Sequence, residues 1–363
     1  MKKIIPWAKP YFFGQEKKYL LNAIKSSWIS GGPYILKLEQ IIKKKLKSNY
    51  AFAVNNGTSA IHLAFLAAGL KPGDEIIVPG YGYMAAANIA KLMNLKVRFA
   101  DVDKKTFCLD LVNLKKCLTK KTKAVVTINT YGNFQDLDKI KKFLSNKKIL
   151  FIEDAAESLC SKYKNKYTGT FGDIGTFSFH ATKNIVTGEG GMVITNNSKL
   201  AKMLSLYRSH GVKKLRYKHY VHGHNFRLTN LQAAIGFAQF KNIDKIVKKR
   251  QQIYKWYLKF INNEKICIQK FEDIKQAVPW TFAFYLNNSK YSRDKIIKKM
   301  REKKIETRNG FYSADRLKIF SANKNKLLNS NILSKKTICL PLFYEMSVND
   351  VIKICKNINK FKI

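Results

Sequence analysis

Arginine is scarce in this chain of 363 residues: nine of the 68 basic side chains are arginine, set against 24 acidic ones, for a formal net charge of +44. So positive a chain ordinarily points to nucleic acid or an anionic membrane. Here, however, the lysines are scattered through every segment, and no basic run is interleaved with aromatics as on a single-strand-binding surface. The pattern reads as general lysine enrichment, and neither nucleic acid nor membrane is expected as a partner. Paired cysteine spacings are also lacking. The six cysteines (Cys108, Cys117, Cys160, Cys267, Cys339 and Cys355) are dispersed, which argues against disulfides and a cysteine metal site and for reduced thiols in a cytoplasm. No apolar run approaches membrane-spanning length, and the start Met1-Lys2-Lys3-Ile4-Ile5-Pro6-Trp7 lacks a signal-peptide core, so a soluble protein is expected. Internal repeats and low-complexity linkers are absent.

What the chain does have is alternation. Apolar strand-like runs at 51–54, 75–78, 96–99, 124–128 and 149–152 alternate with helical patterns, predicting an α/β fold with a mostly parallel, helix-covered sheet. Functional residues should then gather at the carboxyl ends of strands. The helical stretch from Asn230 to about Phe260 reads as a connector into a smaller α/β domain, giving a large domain over 1–240 and a small one over 241–363.

Within this frame Lys183 stands apart from the other lysines, nearly all of which must be solvated. It lies in Phe177-Ser178-Phe179-His180-Ala181-Thr182-Lys183-Asn184, between a strand-like run and the turn Gly188-Glu189-Gly190-Gly191, where a lysine for solubility is out of place. A lysine amine so placed can form a Schiff base with a cofactor aldehyde. Upstream, Glu153-Asp154 follows a fully apolar strand, and two carboxylates there are costly to bury without a cationic partner. A protonated pyridine nitrogen held by Asp154 would be one. Gly57-Thr58-Ser59 opens a helix after a strand, an arrangement that can hold a phosphate but by itself is more often an ordinary cap. Tyr83, in Pro79-Gly80-Tyr81-Gly82-Tyr83-Met84, could lie flat on a planar cofactor or simply pack in the core. His219, His222 and His224 suggest zinc, but no adjacent carboxylate or cysteine completes a set, and no metal is assigned.

Taken together with Trp28-Ile29-Ser30-Gly31-Gly32-Pro33, Pro72-Gly73-Asp74-Glu75, Asn225-Phe226-Arg227 and Ile305-Glu306-Thr307-Arg308, these segments resemble, nearly end to end, the fold-type I, pyridoxal phosphate-dependent sugar aminotransferases of the DegT/StrS family. The resemblance implies a seven-stranded sheet in the large domain and pyridoxal 5'-phosphate as cofactor, with Lys183 linked to it and Asp154 on its ring nitrogen. Gly57, Thr58, Ser59 and Ser178 would hold the phosphate and Tyr83 would stack on the ring. Asn225 would reach the cofactor of a neighbouring subunit, implying a homodimer with shared sites. Trp28, Arg308 and Tyr312 are the implied substrate contacts. Members that act as 3-dehydratases carry a histidine where Lys183 stands.

The implied reaction passes nitrogen from an amino acid, glutamate, to a nucleotide-diphosphate keto sugar, whose approach the positive charge would favour. The segments resemble most the perosamine synthase-like enzymes that aminate C4 of 4-keto-6-deoxy sugars for glycans such as O-antigen. A 3-keto sugar aminotransferase, a family member that has lost catalysis, and a basic binding protein are the alternatives. The chain departs from the family in three places. Glu157 stands where many members have histidine or glutamine near the cofactor hydroxyl, Asn129 replaces a common histidine, and Phe311-Tyr312-Ser313-Ala314-Asp315 lacks the usual Pro-Leu-His.

Overall fold

The computed structural model describes residues 4–213, 215, 217–287, 291–320 and 326–361. Strands β1 (Tyr50–Val54), β2 (Glu75–Pro79), β3 (Lys96–Ala100), β4 (Thr122–Ile128) and β5 (Leu150–Asp154) come first. A small hairpin, β6 (Lys162–Tyr163) and β7 (Lys166–Tyr167), separates them from β8 (Ile174–Ser178) and β9 (Gly191–Thr195). Seven of these form one sheet in the order β1-β9-β8-β5-β4-β2-β3. The neighbours from β3 across to β8 run parallel, and β9 alone runs antiparallel to both strands beside it. The sheet is thus the mostly parallel, seven-stranded one expected, with every early strand-like run in place.

The central strands are apolar on both faces because helices cover both. Along β9, Val193 enters the core under the helix Gly57–Ala67, while Met192 and Ile194 enter the opposite core with Leu38, Phe177 and Phe240. This two-residue alternation divides one sheet between two cores.

A second sheet follows, β10 (Ile266–Ile268), β11 (Phe282–Leu286), β12 (Arg308–Asn309) and β13 (Thr337–Leu340), in the order β10-β11-β13-β12 and antiparallel throughout. It shares a core with the helices Ile243–Phe260, Arg293–Glu302 and Val348–Asn359. The helical stretch expected from Asn230 to about Phe260 is present as two helices, Asn230–Lys241 and Ile243–Phe260. Asn242 leaves the helical conformation, and its amide closes the first helix on the carbonyls of Gln239 and Phe240. The chain start joins this second sheet, with Ile5 bridged to Ile305 and the Trp7 amide on Glu306 at 2.9 Å.

Candidate active site

At the carboxyl ends of the large sheet's strands a cleft of about 670 Å³ opens toward the second sheet. The end of β5 supplies the carboxylates, and the two-residue alternation sends them to opposite faces. Asp154 faces the cleft, where its Oδ1 accepts the Ala156 amide at 3.1 Å. Burial pushes its carboxyl up to about 6, with Glu157 adding to the rise and the Ala156 amide and Lys183 opposing it. Glu153 points away and accepts three backbone amides, of Gly169 (2.9 Å), Phe171 (2.6 Å) and Gly172 (2.7 Å). Its partners are therefore peptide dipoles, and only Asp154 of the pair is left for a cationic partner.

Lys183, three residues past the end of the extended run after β8, reaches back over this carboxylate. Its Nζ lies 3.1 Å from Glu157 Oε1 and 3.8 Å from the centroid of the Trp280 ring, and both acid and base are largely shielded from water. The other Glu157 oxygen accepts the Tyr131 amide at 2.7 Å. The departure at Asn129 is a buried structural contact: its Nδ2 donates to Ser158 Oγ at 2.9 Å.

Opposite the lysine stands the amino end of the helix Gly57–Ala67. Asn56 caps it, its side chain accepting the Ser59 amide at 2.7 Å while its carbonyl takes the Ala60 amide. The Gly57 and Thr58 amides, at the positive end of the helix, have no carbonyl ahead of them within it. Ser178 closes the cradle, and a Cβ placed on Gly57 would stand only 2.9 Å from Ser178 Cβ. Only glycine lets the two segments approach this closely while leaving a hollow.

Of the residues singled out in the sequence, the cleft gathers Lys183, Asp154, Gly57, Thr58, Ser59, Tyr83, Glu157, Ser178 and Arg308. Tyr83 is 63% exposed and sits at the rim, 6.2 Å from Phe311 ring to ring. Trp28, Tyr312 and Asn225 do not line the cleft of their own chain. Trp28 is 63% exposed on a segment whose carbonyl accepts from Asn230. Asn225 is at the surface, its Oδ1 accepting from Arg227 at 3.0 Å. Phe311 lines the cleft, whereas its neighbour Tyr312 is exposed.

Sequence reasoning passed over the aromatic wall of Trp7, Tyr131, Trp280 and Phe311. Tyr131 stacks on Phe311 at 5.1 Å and on Trp280 at 6.2 Å, and Trp7 meets Trp280 edge-on at 5.1 Å. These residues come from four distant segments, and no local spacing announces their meeting. The histidine cluster is dispersed in contacts: His219 Nδ1 lies 2.7 Å from the His210 carbonyl and His224 stacks on Phe226. Among the described residues no three metal-ligating side chains are placed to share an ion.

Residues 13–359 match the DegT/DnrJ/EryC1/StrS aminotransferase family. The chain belongs to that family. It is 37% identical to the GDP-perosamine synthase of Escherichia coli O157:H7 over 99% of each chain. Among solved structures, it superposes on PseC of Helicobacter pylori, an aminotransferase involved in the biosynthesis of pseudoaminic acid, with a TM-score of 0.93, 25% identity and 99% of each chain covered. It also superposes on the E. coli GDP-4-keto-6-deoxy-D-mannose-3-dehydratase with bound hydrated pyridoxal phosphate, with a TM-score of 0.91, 26% identity and 98% of this chain and all of the other covered.

The chain is thus a pyridoxal phosphate-dependent sugar aminotransferase, and its cleft fits that cofactor. A helix amino terminus with a glycine-shaped hollow suits a phosphate. A buried carboxylate suits a cationic ring nitrogen, and a sequestered lysine amine suits an aldehyde. The distinct chemistries stand on separate walls of one cavity.

Proposed function

We propose that this enzyme moves an amino group from an amino acid, L-glutamate, to C4 of a nucleotide-linked 4-keto-6-deoxy sugar, making an amino sugar for glycan assembly such as O-antigen. The observation that carries the reading is the Lys183 amine, 3.1 Å from Glu157 in the cleft that also holds Asp154 and the Gly57 cradle. Similarity to GDP-perosamine synthase over 99% of the chain supports the sugar class.

In this reading Gly57, Thr58, Ser59 and Ser178 hold the cofactor's phosphate, Asp154 its ring nitrogen and Lys183 its aldehyde carbon, while Tyr83 covers the ring from the rim. When bound, pyridoxal phosphate supplies the electron sink that lets nitrogen pass from donor to acceptor. Asp154 keeps the ring nitrogen protonated. Lys183, once free, would carry a proton from the donor carbon to the cofactor's C4′ in the first half of the reaction and from C4′ to the sugar carbon in the second. Glu157 and Trp280 shield that amine from water. Arg308, beyond Trp7, offers a fixed cation to the anionic part of a substrate.

We assign the large unit to residues 1–240 and the small one to 241–363, and place the enzyme in the cytoplasm as a homodimer. Asn225 supports the dimer, being exposed and outside its own chain's cleft, and Trp28 on the surface supports it too. The dehydratase likeness raises a second reading. The lysine at 183, where the dehydratase members carry histidine, favours transamination. The test is a screen of GDP-, UDP- and dTDP-linked keto sugars with glutamate, read by product mass. An amino sugar from a 4-keto-6-deoxy substrate supports the reading, and a deoxygenated sugar without nitrogen overturns it.

A further inference from the structure

Trp280 has no role assigned by the motifs, yet it touches the group on which the chemistry turns. Its ring lies 3.8 Å from Lys183 Nζ, and its Nε1 donates to the Thr182 carbonyl at 2.7 Å, tying it to the lysine's own backbone. Its amide donates to the Tyr131 carbonyl at 3.0 Å, and the Tyr131 amide in turn donates to Glu157. Lysine, glutamate, tyrosine and tryptophan therefore form a closed ring of contacts. At its tightest point Gly132 has φ +93°, and a Cβ there would stand 2.3 Å from the Val278 carbonyl and 3.0 Å from the Trp280 amide. Only glycine lets these loops meet.

Behind the ring lies Arg250, buried on the helix Ile243–Phe260. Its Nη1 donates to the carbonyls of Pro279 (3.3 Å), Trp280 (3.1 Å) and Leu342 (3.4 Å). Among the described residues no carboxylate pairs with it, and burial pulls it down to about 10. Burying a guanidinium on neutral acceptors is costly. What the arrangement secures is the backbone on either side of Trp280.

We propose that Trp280 is the positioning residue for the Lys183 amine, with Arg250 as its anchor. The indole face attracts the ammonium form and, with Glu157 on the other side, limits where the freed amine can swing. The lysine then meets the donor and sugar carbons from a fixed direction, a contribution to the transition state rather than to substrate affinity. This inference rests on the reading that Lys183 carries the cofactor.

The test compares wild type with Trp280→Leu, Trp280→Phe and Arg250→Lys as full-length enzymes. A cation–π contact of about 0.5–2 kcal/mol converts to a kcat loss of about 2- to 30-fold. Trp280→Leu should show it with KM for both substrates unchanged, and Trp280→Phe, which keeps an aromatic face, should fall between. In the cofactor-free proteins, acylation of Lys183 by acetyl N-hydroxysuccinimide ester, read by peptide mass against exposed lysines, should rise in the same order. Arg250→Lys should raise it too, and where that variant does not fold the tryptophan pair decides. Equal kcat losses in the Leu and Phe variants that merely follow their melting temperatures, or unchanged acylation, overturn the proposal. Borohydride reduction of the wild-type holoenzyme tests the underlying reading separately: cofactor mass on a peptide without Lys183 overturns that reading instead.

Discussion

Replacing Asp154 with asparagine tests the electrostatics of the cleft without knowledge of the sugar. The carboxyl is buried at the floor of the cleft, and that burial raises it from 3.8 to about 6 despite the Ala156 amide and Lys183. A carboxyl raised on folding stabilises the folded chain while protonated. The contribution is complete below pH 3.8 and is lost as the pH climbs through about 6. The difference between the two values corresponds to about 3 kcal/mol. Asparagine keeps the shape and cannot ionise, so it removes this dependence. Urea unfolding of the cofactor-free proteins, followed from pH 4 to pH 8, should show wild type losing up to about 3 kcal/mol relative to Asp154→Asn, nearly all of it by pH 7.

Bound cofactor should reverse the balance, because a cationic ring nitrogen stabilises the ionised carboxylate that burial penalises. Wild type should therefore gain more unfolding free energy from pyridoxal phosphate at pH 8 than Asp154→Asn does, and the variant should lose about a hundredfold or more in kcat. A stability difference between the two cofactor-free proteins that stays flat from pH 4 to pH 8 refutes the reasoning, since Asp154 would then not be a carboxyl strained by burial.

Gly57→Ala places a methyl 2.9 Å from Ser178 Cβ inside the cradle. Overpacking of this kind costs about 1–3 kcal/mol, so spectral titration should show cofactor affinity weakened by about 5- to 150-fold, and unchanged affinity would remove the cradle from phosphate binding. For Asn225, mixing inactive Lys183→Ala with a severely impaired Asn225→Ala should restore activity once subunits exchange, because one site of each heterodimer would carry neither lesion. Exchange shown by mass, without recovered turnover, would place Asn225 in its own chain's function.

How much of this was legible beforehand depended on whether the signal was local. The first five strands of the large sheet are apolar runs bounded by turns, and each lies where the pattern placed it. Lys183, Asp154, Ser178 and Gly57 each sit at the end of such a strand or just beyond it, so the parallel sheet carries them to one edge. The long connector is helical as read, but it divides at Asn242, which ends one helix and caps the next within a run of helix-forming residues. Trp280 and Arg250, by contrast, were invisible. Nothing near either residue in the sequence marks a site, and their roles exist only where the second sheet folds back onto the first.

The two acids at the end of β5 show how far adjacency can mislead. In sequence Glu153 and Asp154 read as one costly acidic pair awaiting one cation. The strand's alternation separates them completely: Glu153 is satisfied by three amides of the 169–172 turn, whereas Asp154 keeps one amide and faces Lys183 and Glu157 across the cleft. A fully satisfied carboxylate fixes the turn that leads into β8, and hence the position of Ser178. An under-satisfied one stores electrostatic strain that a cationic ligand can relieve. The same two-residue period that builds the sheet thus assigns one acid to architecture and the other to chemistry, and the partner each acid finds distinguishes the two roles where residue type cannot.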